Sequence, residues 1–377
     1  MLIERVLEIK LKKELAGEKK VIILYGPRQA GKTTLIKKVM SETNRQPLFF
    51  IGDDIQAQKL LSHNELKSLK EIIGDNKLLV IDEAQKIENI GLSLKLIVDN
   101  LPVMVVASGS SSFDLANKLN EPLTGRTSTL WLYPLSYQEV YQKYRLDSKN
   151  TVMEEILRFG MFPKVHSTPG TQEKEDYLYE YLNNYLYKDI LILESIKKPK
   201  KILDLLALLA FQIGRQVSIA ELARNLQITQ VTVEKYLDAL EKMFVLINLR
   251  GFSRNLRKEI TKTSKYYFMD LGLRNALVRN FNPLDLRSDT GELFENWFIV
   301  EKIKAASNSG KHANFYFWRT YDQKEIDLVE ERDGKLIGYE CKWSANKIPK
   351  PPKEWLGNYS NASYQIVNRD NFEKSLL

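Results

Sequence analysis

The sequence predicts an α/β protein: a parallel sheet wrapped by helices, then a helical segment, a winged helix-turn-helix and a small α/β domain. Three observations carry this reading. Up to about Tyr133, short apolar runs alternate with amphipathic helical stretches, the pattern of a parallel sheet covered on both faces. Between Ile202 and Asp270, helices separated by a brief turn lead into a basic hairpin. From Gly291 onward a helix precedes three strand-like runs.

Taken in order, the five runs are Val21–Leu24, Leu48–Ile51, Leu78–Ile81, Val103–Ala107 and Thr129–Leu132. From Ser136 to about Phe211 the pattern is helical and tyrosine-rich. Tyr177, Tyr181 and Tyr185 recur at i, i+4 beside Leu178, Leu182 and Leu186, which reads as a packing stripe. Ser218 is placed to cap a helix over Ile219–Leu226, and Thr229 to cap Val231–Met243 after a turn at Gln227–Ile228. The runs Phe244–Leu249 and Tyr266–Met269 form the arms of the hairpin, completing a winged helix-turn-helix. An amphipathic helix around Leu293–Phe298 and strands at Asn314–Trp318, Glu325–Glu330 and Leu336–Lys342 make up the last domain. The expected boundaries are 1–135, 136–200, 201–272 and 285–377.

A chain of 377 residues is too long for one ordinary domain, and 44% hydrophobic with 28% charged residues is the balance of a soluble globular protein. No apolar run is long enough to cross a bilayer, and charges interrupt Met1-Leu2-Ile3-Glu4-Arg5, so no signal-peptide layout is read there. The single cysteine, Cys341, excludes an internal disulfide framework and points to a reducing cytoplasm. With three scattered histidines it also leaves no zinc site of the usual kind. The net charge of +8 favours a polyanionic partner. One basic cluster comprises Lys197, Lys198, Lys200 and Lys201; a second comprises Arg250, Arg254, Arg257, Lys258, Lys262 and Lys265, opposed only by Glu259.

The sharpest motif is Gly26-Pro27-Arg28-Gln29-Ala30-Gly31-Lys32-Thr33, which matches G-x-x-x-x-G-K-[ST] between an apolar run and a helical stretch. Glycines let backbone N–H groups turn inward around phosphate oxygens. Lys32 reaches the β- and γ-phosphates, and the helix start near Thr33 and Thr34 adds a positive dipole end. The expected ligand is ATP with Mg2+, the Thr33 hydroxyl and Asp82 holding the metal. Asp82 ends the run Leu78-Leu79-Val80-Ile81, and Glu83 after it is placed to polarise the attacking water. A polar residue in Ser108-Gly109-Ser110 could sense the γ-phosphate, or the segment is a simple turn.

These segments, with Ile23-Leu24-Tyr25 before the loop, Val80 to Lys86, Gly109-Ser110, Leu123-Thr124-Gly125-Arg126 and Tyr133-Pro134-Leu135-Ser136, together resemble one family. It comprises bacterial and archaeal AAA-type P-loop ATPases with a C-terminal domain of unknown function, often nuclease-like. The resemblance covers nearly the whole chain. It implies that Arg126 senses or stabilises the γ-phosphate, within its own subunit or on a neighbour. Where the family has two adjacent glycines, this chain has Gly160-Met161-Phe162-Pro163, and a stiffer hinge is expected.

In the C-terminal region, Glu295 sits in the helix, Asp327 in Glu325-Ile326-Asp327-Leu328-Val329, and Glu340 and Lys342 flank Cys341. Residues i and i+2 of a strand share a face, so two adjacent strands would present Asp327, Glu340 and Lys342 together. Hard oxygen ligands from Glu295, Asp327 and Glu340 suit Mg2+ or Mn2+, with Lys342 positioning water or neutralising charge. The order Glu, Asp, Glu-x-Lys resembles the restriction-endonuclease-like superfamily of PD-(D/E)xK type. Active cleavage and an inherited fold that has lost cleavage both stay open.

Two functions follow. The first is a DNA-associated ATPase, on duplex, branched or single-stranded DNA, with no membrane partner and an undetermined homo-oligomeric state. The second is a signalling or regulatory ATPase whose C-terminal modules bind protein, with the nuclease-like domain inactive. The acidic Glu234, Asp238 and Glu241 on the second helix favour the latter, while Gln230, Thr232 and Lys235 stay compatible with groove contact.

Overall fold

The apolar runs at the front become five parallel strands: β1 (Val21–Tyr25), β2 (Leu48–Ile51), β3 (Leu78–Asp82), β4 (Met104–Gly109) and β5 (Thr127–Trp131), in the order β2-β3-β4-β1-β5. This is seen in a computed structural model that describes residues 3–17, 21–42, 46–110, 123, 125–144, 148–186, 190, 199–253, 264–320, 322–344 and 349–376. The chain divides into two units, Met1–Leu135 with Lys242–Phe244, and Ser136–Glu241 with Val245–Leu377.

In the first unit every residue of β1, β3 and β4 is buried, as expected of central strands covered on both faces. Helix Leu7–Leu15 lays Leu7, Leu11 and Leu15, spaced four apart, onto one core, where they join Leu35, Ile36 and Val39 of helix Lys32–Glu42 and Leu130 of β5. Each such buried leucine contributes about 1.5–3 kcal/mol relative to an exposed one. With β4 inserted between β1 and β3, the carboxyl ends of all three strands lie side by side. That edge is where α/β sheets bind ligands.

The second unit is built on a seven-stranded sheet. Its strands are β6 (Gln216–Val217), β7 (Leu246–Gly251), β8 (Ser264–Phe268), β9 (Asn314–Arg319), β10 (Glu325–Arg332), β11 (Lys335–Cys341) and β12 (Ala362–Val367), in the order β12-β11-β10-β9-β7-β8-β6. The hairpin β7–β8 therefore does not stand apart from the C-terminal strands. β7 runs parallel to β9, pairing Arg250 with Tyr316 and Gly251 with Phe317, and the Phe252 amide donates to Phe317 O at 2.6 Å.

Helices Ile219–Leu226 and Gln230–Lys242 precede the hairpin, and their caps are as read: Ser218 accepts from the Glu221 amide, Thr229 from the Thr232 amide. Helix Thr290–Ser309 is not simply amphipathic, since Leu293, Phe294, Trp297, Phe298 and also Glu301, Lys302 and Lys304 are buried. Its charges are compensated in place: Lys304 meets Glu301 at 2.9 Å and Lys302 meets Glu330 at 2.8 Å. Asn296 binds both backbone groups of Phe268, tying this helix to β8. Gly160, at φ 78°, ends helix Lys149–Phe159, and a Cβ there would lie 2.1 Å from the Asp270 carboxylate, so the position takes only glycine. Among the described residues no helix is long and apolar enough to cross a membrane.

Candidate functional site

β1 delivers the chain to Gly26, where a Cβ would stand 2.1 Å from Leu132 O; the approach of the two backbones demands glycine. Gln29 and Gly31 both lie in the left-handed region, at φ 59° and 97°, which curls the loop in the manner of a backbone anion nest. The buried Lys32 ammonium is held inside that curl by Gly26 O at 2.8 Å and Pro27 O at 3.0 Å. From outside, Arg5 braces the loop, donating to Ala30 O and to Tyr133 O, each at 2.6 Å. No motif in the sequence marks Arg5 for that role.

At the end of β3, Asp82 Oδ2 accepts from Thr33 Oγ1 at 2.6 Å, and its other oxygen accepts from Ser108 at the tip of β4. A hydroxyl and a carboxylate so close, at the mouth of a phosphate-sized loop, fit Mg2+, a cation that takes few protein oxygens and keeps room for phosphate and water. Glu83 follows in the left-handed region at φ 53°. Its carboxylate accepts from Gln85 Nε2 at 2.5 Å and Ser110 Oγ at 3.2 Å, while Gln85 also donates to Ser110 at 3.1 Å. Gln85 was missed in the sequence; its only signal is a polar side chain two residues beyond the acidic pair.

Arg126 lies elsewhere. Its backbone carbonyl accepts from the Val21 amide, and the next residue, Thr127, pairs with Val21. It therefore stands at the amino edge of the sheet, five residues of β1, roughly 16 Å, from the phosphate loop. There its half-exposed guanidinium grips Asp99 through Nε at 2.6 Å and Nη2 at 3.2 Å.

In the second unit, β10 and β11 pair Leu328 with Tyr339, and one step further sets Asp327 opposite Glu340. An irregularity between Ile326 and Val329 on the β9 side accompanies the burial of Asp327, whose Oδ2 accepts from the Cys341 amide at 2.8 Å. Glu340 pairs with Lys342 at 2.7 Å. Glu295 accepts from Tyr267 Oη at 2.6 Å and lies 3.7 Å from Lys265 Nζ. The same ammonium is ion-paired with Glu325, which also meets Arg319 at 3.4 Å. Burial, with Asp327 adding its charge, pushes Glu295 up to about 8. Burial also raises Asp327 and Glu340, the latter again helped by Asp327. For Lys265, burial opposes the charge, but Glu295, Glu325 and Asp327 outweigh it and hold the ammonium above its usual value.

Two expectations are corrected here. Lys265 is not part of a solvated basic stretch: it is 2% exposed and faces carboxylates. The stretch's Arg254, Arg257, Lys258, Glu259 and Lys262 lie outside the described residues, as do Lys197 and Lys198. Nor do Glu295, Asp327 and Glu340 fit Mg2+ or Mn2+. Among the described residues no three His, Cys, Asp or Glu side chains form a group that could hold a metal ion.

Comparison with known proteins matches residues 18–141 to the AAA domain, 150–284 to a domain of unknown function (DUF8612) and 290–374 to another (DUF4143). An uncharacterized protein of Mycobacterium tuberculosis is 28% identical over 326 residues, 85% of this chain and 70% of that one. An uncharacterized protein of Methanocaldococcus jannaschii is 25% identical over 357 residues, 90% of this chain and 78% of that one. Among solved structures, the Walker-type ATPase of Pyrococcus abyssi aligns with a TM-score of 0.52 at 16% identity, covering 74% of this chain and 96% of its own, a likeness of fold. With the phosphate loop, the Thr33–Asp82 pair and the strand order already in place, the match over residues 18–141 identifies the front of the chain as an AAA-type P-loop ATPase domain.

Proposed function

We propose that the chain is a Mg2+-dependent ATPase that binds DNA and couples nucleotide state to DNA handling. The observation that carries the ATPase half is the joint engagement of Thr33 and Asp82 beside a loop that encloses Lys32. Thr33 and Asp82 would hold Mg2+, which would supply charge neutralisation for the terminal phosphates. Lys32 and the loop amides bind and orient those phosphates, and Glu83, held by Gln85 and Ser110, accepts the proton of the attacking water. Arg126 stands too far from its own loop to serve it, so its γ-phosphate is that of a neighbouring copy, and the working form is a homo-oligomer.

Support for DNA comes from the +8 charge, from helices Ile219–Leu226 and Gln230–Lys242 ahead of a hairpin, and from the basic residues between its arms. We read that segment as a winged helix-turn-helix that grips phosphates. Glu234 and Asp238, exposed beside Lys235, disfavour base reading by the second helix. They also favour a second reading in which this module binds protein. Affinity for DNA should fall steeply with salt and vary little with sequence. Neutralising Arg254, Arg257 and Lys258 together should weaken binding and flatten the salt dependence. A triple variant that binds as wild type does would transfer the proposal to the protein partner.

A further inference from the structure

We propose that the Lys265 ammonium takes the place of a divalent cation among Glu295, Glu325 and Asp327, making the C-terminal carboxylate cluster a metal-free, internally neutralised core. Charge is the first reason. Carboxylates gathered in a low-dielectric interior each cost several kcal/mol unless paired. Here Lys265 pairs with Glu325 and approaches Glu295, Arg319 adds to Glu325, Lys342 takes Glu340, and the Cys341 amide serves Asp327. A hard cation would need several of these oxygens at once, and would have to sit against an existing positive charge.

Immobility is the second reason. Lys265 lies on β8 in register with Gln216 of β6 and Leu249 of β7, so its backbone is paired on both sides. Its ammonium lies over the Phe317 ring, 5.5 Å from the centroid, and the side chain is 2% exposed. Withdrawing it would break its ion pairs and uncover a side chain that is almost wholly buried. The inference concerns this cluster alone and does not depend on whether the chain binds DNA.

Calorimetric titration of Mn2+ into the nucleotide-free full-length protein tests it. Wild type and Asp327→Asn should take up Mn2+ identically. Lys265→Met, which keeps the bulk and removes the charge, should gain one site per chain, at least about tenfold tighter than any wild-type binding, because a contact charge is worth a pKa unit or more. That site should vanish when Asp327→Asn is added. Should Lys265→Met not fold, Lys265→Met with Glu325→Gln leaves no stranded partner and keeps Glu295, Asp327 and Glu340 for the same titration. A wild-type Mn2+ site lost in Asp327→Asn overturns the inference. So does a folded charge-removed variant that binds no Mn2+.

Discussion

The proposed role of Glu83 toward water, and the hold of Gln85 on its carboxylate, are each tested by a single substitution. Glu83→Gln should still bind ATP, since Lys32, Thr33 and Asp82 are untouched, but turnover should drop by roughly 10²- to 10⁴-fold, the usual worth of a general base. Gln85→Ala leaves the carboxylate in place and removes one of its donors, so kcat should fall about tenfold with KM little changed. Steady-state kinetics on both variants decides this, and equal turnover in wild type and Glu83→Gln would sink the assignment. Asp270 offers a test by pH. Burial pushes it up to about 6 from 3.8, with the amides of Met161 and Leu273 only partly offsetting that. Between those values the folded chain holds a proton that the unfolded chain releases. The stability from this group is therefore full below about pH 4 and lost as pH rises through 6, roughly 3 kcal/mol in all. Denaturant titrations from pH 4 to 7 should show a shallower pH slope in Asp270→Asn than in wild type. At this scale the phosphate-loop residues were legible because their spacing is a motif. Lys265 was misread because it was counted with its charged neighbours in sequence. Strand alternation puts it on the face of Tyr267, which is wholly buried.

Elements were the easiest level to read. Five apolar runs became β1 to β5 within a residue or two, since buried parallel strands need continuous apolar sequence, and Ser218 and Thr229 capped as their chemistry required. What periodicity could not convey was company. Helix Thr290–Ser309 looked one-sided, yet it is enclosed, because Glu301, Lys302 and Lys304 find partners that are distant in sequence or one turn away. The pairing of β7 with β9 was likewise invisible, for it joins segments more than sixty residues apart. It bears on fragments. Residues 285–377 alone would expose the edge of β9 and strip Glu295 of Tyr267 and Lys265, and Asn296 of Phe268. Such a fragment should be unfolded or aggregated by circular dichroism and gel filtration, whereas residues 136–377 should fold. A well-folded 285–377 fragment would show that the shared sheet is dispensable.

For the molecule as a whole, the position of Arg126 at the far edge of its own sheet is the feature with most reach. Arg126→Ala and Lys32→Ala should each be nearly inactive, one lacking the arginine and the other the phosphate grip. Mixed, they should recover ATPase activity, because a Lys32→Ala neighbour can offer its arginine to an intact loop. A mixture no better than its components would remove Arg126 from catalysis. The sequence placed the ATPase domain because its chemistry is local; it could not reveal that Arg126 sits at the strand end away from the phosphate loop, since that depends on strand register. The seven-stranded sheet has a different consequence, which belongs to kinetics. Strands that share hydrogen bonds open together, so the amides of β7 and β8 should exchange with solvent on the slow clock of β9 and β10 rather than on that of a free hairpin. The hairpin should therefore move either as one stiff body with the C-terminal strands or only when the whole sheet breathes.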